Sequence, residues 1–385
     1  MISNKTIYLD NATTTFPKPE CVYAETMARF QQHGVSPSRG CYSLAREMSG
    51  DVASVREALA RRFNVDFSAV VLTPSATFSL NQILAGLDYA FIRHVYVSPF
   101  EHNSVLRPLH RLQKLHGFSL SVLPFSGFDW DEAETRRMFS QHAPDLVALS
   151  HASNVFGNVL PVCDIFSLAK EYNAVTVLDC AQSAGLLDTN AKALHVDFAA
   201  FAGHKGLYGP SGIGGFVVNT ERQLEPLILG GTGVRSEDME PPTELPDRFE
   251  SGSHNSLSII GLDFALQWLE KTGQSALQAR KRELTQRLRE VLLYHEDEIR
   301  IVSDLSRENV GVVSCVFKSH ASAEVGALLD EHGIAVRTGL HCAPLAHQHM
   351  KTAPDGTVRF SVGHFNSFEQ FDVLSDCLNE MWTRE

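Results

Sequence analysis

The sequence predicts an α/β fold, in which helices cover both faces of a mainly parallel sheet, followed by a smaller α+β domain. Three observations support this prediction. Between about residue 70 and residue 220, short apolar runs alternate with segments of helical pattern. The apolar runs are nearly continuous, as is typical of strands buried on both faces. Beyond a polar loop with several prolines at 234–248, the pattern changes to long helices and a few further strands.

Seven apolar runs in the first region are the candidate strands. They are AVVLTP (69–74), HVYVSP (94–99), FSLSVLP (118–124), DLVALS (145–150), AVTVLD (174–179), DFAAFA (197–202) and IGGFVVN (213–219). Helical patterns separate most of them, and they read SLNQILAGLDYAF, VLRPLHRLQKLHG, DWDEAETRRMF and VCDIFSLAKEY. Strands that alternate with helices of this length indicate a parallel sheet.

The second region has its own order of elements. Two long helical patterns come first, at 256–272 and 275–297. They are followed by VGVVSCVF (310–317), a helix from 321, AVRTG (335–339), TVRFSV (357–362) and a last helix over about 367–382. We therefore expect a large α/β domain over 20–255 and a smaller α+β domain formed by 1–19 plus 256–385.

Composition excludes several classes of protein. The net charge of −12 argues against nonspecific nucleic-acid binding, which needs a basic face. No apolar run approaches the roughly 20 residues of a membrane span, and MISNKTIYLD lacks the features of a signal peptide. The seven cysteines are scattered and form no C-x-x-C, so we expect a cytoplasmic protein without a disulfide framework or a metal site.

Ligands of open parallel sheets gather at the carboxyl ends of the strands. After AVVLTP, the residues Ser75-Ala76-Thr77 open a helix, whose free N–H groups and dipole suit a phosphate. An ordinary N-cap serine is the alternative interpretation. Asp179 ends another strand, with Gln182 three residues later. A carboxylate there needs a cationic partner, although it could simply cap the next turn.

Two further features carry nitrogen bases. Lys205 follows the apolar strand DFAAFA in the sequence GHKG. A desolvated lysine there can have its pKa lowered from about 10.4 toward neutrality, and its amine can then form a Schiff base. His102 follows HVYVSP and could lie flat on an aromatic ring, although a lone histidine is more often structural.

Together the four features match one cofactor. A helix N-terminus for a phosphate, an Asp for a protonated ring nitrogen, an imidazole for stacking and a Lys for an imine are what pyridoxal 5′-phosphate requires. We therefore expect Lys205 to carry this cofactor.

Eight motifs occur in the order found in one known family. They are YLDNATTTFPKPE (8–20), EHNSV (101–105), SNVFGNVLP (153–161), LDCAQSAG (178–185), GHKGLYGPSGIG (203–214), DRFESGS (247–253), VRTGLHCAP (336–344) and VRFSVGHFN (358–366). Over nearly its whole length the chain resembles class V aminotransferase-fold enzymes of the cysteine desulfurase and selenocysteine lyase group. The resemblance implies the type I fold of pyridoxal phosphate-dependent transferases, with its seven-stranded, mainly parallel sheet.

The resemblance also implies roles for individual residues. His102 stacks on the cofactor ring and Asp179 pairs with its nitrogen, while Gln182 and Asn154 reach the ring or the substrate. The Ala76 amide, Thr77 and His204 hold the phosphate. Ser253 contacts the phosphate of the neighbouring subunit, which implies a homodimer with shared active sites. Arg359 binds the substrate carboxylate.

The expected reaction converts L-cysteine to L-alanine, with selenocysteine as a further candidate substrate. Lys205 moves the proton at the substrate Cα, and Cys342 takes the sulfur as a persulfide. In VRTGLHCAP the neighbours Arg337 and His341 are expected to be positive, which favours the Cys342 thiolate. The sulfur then passes to an acceptor, for which a protein is a candidate. His341, His347 and His349 fit no standard zinc site.

Three positions depart from the family pattern. Tyr42, in the stretch 37–42, stands where a histidine is common, and Ala202 stands where the family often has a phosphate-binding Ser or Thr. One neutral hydrogen bond lost at residue 202 costs about 1 kcal/mol, which the other contacts to the cofactor can tolerate. Gly206 is an additional glycine after the lysine and suggests a distinct branch.

Three other functions remain open. The first is a lyase or epimerase of the same fold, in which Cys342 is only structural. The second is a non-catalytic scaffold for sulfur trafficking. A nucleotide-binding dehydrogenase fits least well, because GPSGIGG leads into a strand, whereas the dinucleotide motif lies between a strand and a helix.

Overall fold

The computed structural model describes residues 6–37 and 42–383. Within these ranges the chain forms eleven α-helices and fifteen strands. The helices are α1 (Glu20–His33), α2 (Ser43–Phe63), α3 (Ala76–Gly86), α4 (Asn103–His116), α5 (Glu132–Gln141), α6 (Val162–Lys170), α7 (Ser256–Thr272), α8 (Gln274–Leu293), α9 (Ser322–Glu331), α10 (Pro344–His349) and α11 (Phe368–Thr383).

The strands follow the apolar runs closely. They are β1 (Ile7–Tyr8), β2 (Val70–Thr73), β3 (His94–Val97), β4 (Ser119–Val122), β5 (Phe125–Ser126), β6 (Asp129–Trp130), β7 (Leu146–Ser150), β8 (Val175–Asp179), β9 (Phe198–Ala202), β10 (Gly214–Val218), β11 (Ile299–Ile301), β12 (Val312–Phe317), β13 (Ile334–Ala335), β14 (Arg337–Gly339) and β15 (Thr357–Ser361).

The seven predicted strands of the first region form one sheet in the order β2-β10-β9-β8-β7-β3-β4. The pairs β9–β8, β8–β7, β7–β3 and β3–β4 are parallel, whereas β10 runs antiparallel to both β9 and β2. This confirms the predicted α/β class with a mainly parallel, seven-stranded sheet. The carboxyl ends of the parallel strands all lie at the same end of the sheet, and the candidate residues follow these strand ends in the sequence.

Both faces of this sheet are buried except at the edge strand β4, whose residues are exposed or half-buried. Successive residues of a strand point to opposite faces, and here they belong to two separate apolar clusters. In β8, for example, Val177 belongs to one cluster and Leu178 to the other. In β9 the same alternation holds for Ala200 and Phe201. An apolar residue is therefore needed at nearly every position, which explains the continuous apolar runs.

A second, four-stranded antiparallel sheet has the order β11-β12-β15-β14. Its core includes Leu284 and Leu288 of α8 and Phe371 and Leu374 of α11. The predicted strand 335–339 differs from the structure, because it divides at Val336. The first part, β13, pairs in parallel with β1, and the second, β14, pairs with β15.

One helix boundary and one hairpin also differ from the sequence prediction. Helix α8 ends at Leu293 instead of continuing to residue 297. The chain turns there because Ile299–Ile301 must lie antiparallel to Cys315–Phe317. The short hairpin of β5 and β6 was also not predicted. Among the described helices, none has both the length and the apolar character required to cross a bilayer.

Candidate active site

The predicted residues converge at the carboxyl-end edge of the large sheet. Eight of them line one cleft, namely Ala76, Thr77, His102, Asn154, Asp179, Gln182, His204 and Lys205. They come from loops that follow different strands, so the sheet topology brings them together. Cys342 and Arg359 lie beside this cleft, and Ser253 lies elsewhere, as described below.

Lys205 lies in the turn that follows β9, two residues after Gly203 begins it. The turn is held by Gly203, whose amide donates to the Ile213 carbonyl at 3.0 Å, and by Tyr208, whose amide donates to the Lys205 carbonyl at 2.8 Å. Burial lowers the pKa of the Lys205 amine to about 8, although the Asp179 carboxylate acts in the opposite direction. Near neutral pH, a fraction of this amine is therefore uncharged and nucleophilic.

The additional glycine after Lys205 has a packing reason. A Cβ on Gly206 would lie 2.4 Å from the carbonyl oxygen of Ala184, and one on Gly185 would lie 2.1 Å from that of Gly206. Both distances are far shorter than a van der Waals contact. The absence of both side chains lets the turn after Lys205 lie directly on the turn that carries Gln182.

Asp179 ends β8 and is buried. Its Oδ1 accepts a hydrogen bond from the Ala181 amide at 2.8 Å. Burial raises the pKa of this carboxyl, whereas the Ala181 amide and the Lys205 amine act to lower it. A cationic group bound in the cleft would supply the partner that a buried carboxylate requires.

Glu101, which the sequence analysis did not select, is fully buried near Asp179. It accepts hydrogen bonds from Ser98 Oγ at 2.5 Å, and from the Ser150 amide and hydroxyl at 2.9 and 2.8 Å. Burial raises the pKa of this carboxyl to about 7, and the Asp179 charge contributes. Its place directly before His102 in EHNSV is the only signal that could have identified it.

His102 is held in one orientation by the start of α4. Its Nδ1 accepts from the Ser104 amide at 3.0 Å and lies 2.9 Å from the Ser104 hydroxyl. Burial, and then the nearby Lys205 and Arg359 charges, lower the pKa of His102 to about 4. The imidazole is therefore neutral, and because Nδ1 accepts, its proton is on Nε2.

The start of α3 provides an anion site. Ser75 caps the helix by accepting from the Phe78 amide at 3.2 Å, and the first N–H groups of a helix have no partner within it. Thr77 Oγ1 lies 2.8 Å from Ser104 Oγ. The neighbouring His204 has a buried Nδ1 with no hydrogen-bond partner in the described part of the chain. These groups together are suited to a phosphate.

Arg359, on β15, is buried beside the cleft rather than lining it. It donates from NH1 to the Asn154 carbonyl at 2.9 Å, and from NH2 to Asp10 Oδ1 at 2.6 Å. Its Nε is buried without a partner among the described residues. The Asp10 contact was not predicted, because 349 positions of sequence separate the two residues.

The loop that carries Cys342 is fixed against the cleft. The His341 carbonyl accepts from Asn154 Nδ2 at 2.7 Å, and the Cys342 carbonyl accepts from the Asn103 amide at 2.7 Å. His341 and Cys342 have positive φ angles of 47° and 58°, which are unfavourable for residues with a Cβ. The thiol of Cys342 is exposed.

The expectation that His341 is a positive neighbour of Cys342 is wrong. His341 is buried, and burial lowers the pKa of its imidazole to about 2. It is therefore neutral, and its Nε2 lies 3.1 Å from Thr357 Oγ1. The other expected neighbour, Arg337, has its NH1 3.2 Å from Thr13 Oγ1.

Burial sets several of the described cysteines apart from Cys342. Of the six in the described ranges, only Cys163 and Cys342 are exposed. Burial raises the pKa of the Cys180 and Cys315 thiols, which keeps them protonated. Within the described residues, no group of three metal-binding side chains is placed to hold an ion.

Ser253 does not line the cleft. It lies in a different depression of the surface, together with Thr73, Pro74 and Phe78.

Besides Gly206, the other two departures from the family pattern also lie within the described residues. Ala202 lines the cleft, and Tyr42 is exposed just before α2. Residues 38–41 of the stretch 37–42 lie outside the described residues.

Comparisons with known proteins agree with this geometry. A family model described as Aminotransferase class-V matches residues 7–374. The chain is 33% identical to a "Probable cysteine desulfurase" of Pyrococcus abyssi, with 99% of this chain and 95% of that protein covered. It is 35% identical to a protein of the same name from Aeropyrum pernix, with coverage of 98% and 94%.

A solved structure is similar over the whole fold. It is the apo structure of a cysteine desulfurase from Thermococcus onnurineus NA1, with 30% identity and a TM-score of 0.91. The similarity covers 98% of this chain and 95% of that one.

Proposed function

Because the chain belongs to the aminotransferase class-V family, we propose that it is a pyridoxal 5′-phosphate-dependent cysteine desulfurase. The reaction converts L-cysteine to L-alanine and leaves the sulfur on Cys342 as a persulfide. One observation carries the proposal. Lys205, Asp179 and the free start of α3 line one cleft, over which Asn154 holds the loop of the exposed Cys342 thiol.

The residues present fit the cofactor. Its phosphate would be held by the amides of Ala76 and Thr77 and by His204, whose buried Nδ1 has no partner among the described residues. Its ring nitrogen would pair with Asp179, and that pairing would compensate a buried carboxylate. The neutral ring of His102 would stack on it.

When bound through Lys205, the cofactor supplies an electron-withdrawing ring that makes the substrate Cα proton acidic and so makes the Cβ–Sγ bond easier to break. The protein has to hold the substrate and move its protons. Lys205 suits the second task, because burial lowers its pKa to about 8. An amine of that pKa can take a proton from the substrate Cα and return one near neutral pH.

Arg359 is the candidate for binding the substrate carboxylate. Its guanidinium is fixed by Asp10 and by the Asn154 carbonyl, and its Nε has no partner among the described residues. A guanidinium held rigidly can donate two parallel hydrogen bonds to a carboxylate. Asn154, with a buried and unpartnered Oδ1, lies between Arg359 and the Cys342 loop.

Sulfur transfer then balances without another reactant. The Cys342 thiolate forms a bond to the substrate Sγ, and the Cβ–Sγ bond breaks with its electron pair remaining on the carbon side. Protonation at Cβ completes L-alanine, and Cys342 keeps the sulfur as a persulfide. Cys342 and the substrate bring one thiol proton each. One of these protons remains on the persulfide, and the other accounts for the hydrogen gained at Cβ. An acceptor thiol must afterwards remove the sulfur, which fits the reducing cytoplasm.

We further propose that the enzyme is a homodimer. Ser253 lies outside the cleft of its own chain, although it shares a depression with Thr73 and Pro74, which directly precede the phosphate site. If a second subunit packs against this depression, Ser253 of each chain would lie beside the phosphate bound in the other chain. The active sites would then be shared across a two-fold axis.

The proposal is tested by the products from L-cysteine. Purified protein, loaded with cofactor and supplied with a thiol acceptor, should form alanine and sulfide in equal amounts. Pyruvate with sulfide would indicate a lyase, and racemised alanine from L-alanine would indicate an epimerase. Failure to take up the cofactor would favour the scaffold interpretation. Selenocysteine, serine and alanine in the same assay define the substrate range.

A further inference from the structure

A second cavity lies outside the active-site cleft and shares no lining residue with it. It has a volume of about 490 Å³, between α8, the turn at Leu186 and Leu187, and the loop 305–309. This volume is within the range of small-molecule sites. The wall at Leu186 is fixed, because its carbonyl accepts from Gln278 Nε2 at 2.8 Å.

The lining of this cavity is positively charged, although the whole chain carries a net charge of −12. Lys281, Arg282 and Arg289 of α8 contribute cations that form no ion pair with any described residue. Arg307 also lines the cavity, but its charge is matched by Asp304 at 2.7 Å and Asp129 at 2.6 Å. The carboxylate in the lining is Glu308.

Lys281 is the most constrained of the three. Its Nζ donates to the Val310 carbonyl at 2.9 Å, and its side chain packs against Gly311, where a Cβ would lie 3.1 Å from Lys281 Cδ. Burial lowers the pKa of this amine to about 8. Lys281 is half-buried, an ammonium with one neutral partner there is costly, and a bound anion would supply the missing charge.

The geometry points to a small organic phosphate as the occupant: we propose that Lys281, Arg282 and Arg289 bind its phosphate group. Arginine forks match phosphate oxygens in a bidentate manner, and two forks with an ammonium suit a dianion. Three leucines, Leu186, Leu187 and Leu305, form the apolar walls that would contact the organic part. This inference does not depend on the proposed function.

The test is calorimetric titration of the cofactor-loaded protein in a buffer free of phosphate, after removal of excess cofactor. Phenyl phosphate has both the phosphate group and an apolar ring. Inorganic phosphate has only the phosphate group, and p-toluenesulfonate has the ring with a single negative charge. Phenyl phosphate should bind in a saturable manner at one site per chain and more tightly than the other two. No saturable binding below about 10 mM would overturn the proposal.

Matched variants locate the binding. Arg282→Gln with Arg289→Gln should weaken binding of phenyl phosphate at least about tenfold, since two of the three cations proposed to hold the phosphate are removed. Arg287→Gln removes one positive charge from α8, but that side chain pairs with Asp372 outside the cavity. It should leave the affinity unchanged. An equal loss in this control, or no loss in the double variant with an unchanged melting temperature, would contradict the site.

Discussion

Asn154 joins the two parts of the site, because its side-chain amide donates to the backbone carbonyl of His341 at 2.7 Å. The Asn154 backbone carbonyl also accepts from Arg359 at 2.9 Å. One residue therefore fixes both the loop of the proposed nucleophile and the proposed carboxylate-binding arginine. Since His341 and Cys342 have unfavourable positive φ angles, the loop needs such contacts to keep its conformation.

Asn154→Ala should reduce alanine formation from L-cysteine at least about tenfold, because one buried hydrogen bond is lost and the His341 carbonyl loses its partner. Hydrogen exchange of the 339–343 amides should become faster, while cofactor absorbance persists. Asn219→Ala is the control, since Asn219 Nδ2 donates to the Val196 carbonyl at 2.9 Å outside the cleft. Unchanged exchange in Asn154→Ala would contradict the role of this contact.

Cys342→Ser should retain cofactor binding and lose alanine formation from L-cysteine by at least about 10³-fold, because the attacking thiolate is removed. No persulfide should be detectable on the protein by mass spectrometry after mixing with cysteine. Cys163→Ser replaces the other exposed cysteine in the described ranges and should behave as wild type. Full activity in Cys342→Ser would exclude persulfide transfer through this residue.

The shared site at Ser253 predicts complementation between subunits. Ser253→Asp should weaken cofactor binding by charge repulsion at the phosphate, and Lys205→Ala should be inactive. A hybrid dimer of the two variants contains one intact site, so refolded equal mixtures should recover about a quarter of wild-type activity. Ser251→Asp provides a control two residues away. An inactive mixture that demonstrably contains hybrid dimers would show that Ser253 acts, if at all, within its own chain.

Lys281 predicts a pH-dependent stability difference. Its folded pKa of about 8 is below the ordinary lysine value of 10.5, so the charged amine costs stability fully below pH 8 and progressively less between pH 8 and 10.5. Lys281→Met should therefore be more stable than wild type at pH 7, by about 1–2 kcal/mol after the loss of one hydrogen bond. Melting temperatures from pH 6 to 10.5 check this.

The difference between Lys281→Met and wild type should shrink above pH 8. Lys192→Met, at an exposed position, should show no such dependence. A constant difference across this pH range would mean that Lys281 titrates normally in the folded protein.

The large sheet could be predicted because its chemistry is local. Six of the seven strands are largely apolar, as burial on both faces requires, and the exception is the partly exposed edge strand β4. Lys205 and Asp179 could be selected from the sequence for the same reason, since each is a charged residue at or just after the end of one apolar run. The division of the predicted strand 335–339 into two strands could not be predicted. Its parts pair with different partners, β13 with β1 and β14 with β15, and neither partner is near in sequence.

The contacts that organise the cleft were also not predictable. Arg359 meets Asp10 across 349 positions, and Asn154 meets His341 across 187. The charge of His341 was misjudged because its burial depends on the tertiary packing of the loop on β15. Gly206 was interpreted as a family difference, whereas its role is the close approach of two backbones, which only the structure reveals.

Trapping of the cofactor on residue 205 tests the central claim most directly. Protein saturated with pyridoxal 5′-phosphate should be reduced with borohydride, digested and analysed by mass spectrometry. The account predicts one pyridoxyl adduct per chain, on the peptide that contains Lys205, with none at that peptide in Lys205→Ala and an unchanged adduct in Lys192→Ala. An adduct-free Lys205 in protein that binds the cofactor would contradict it.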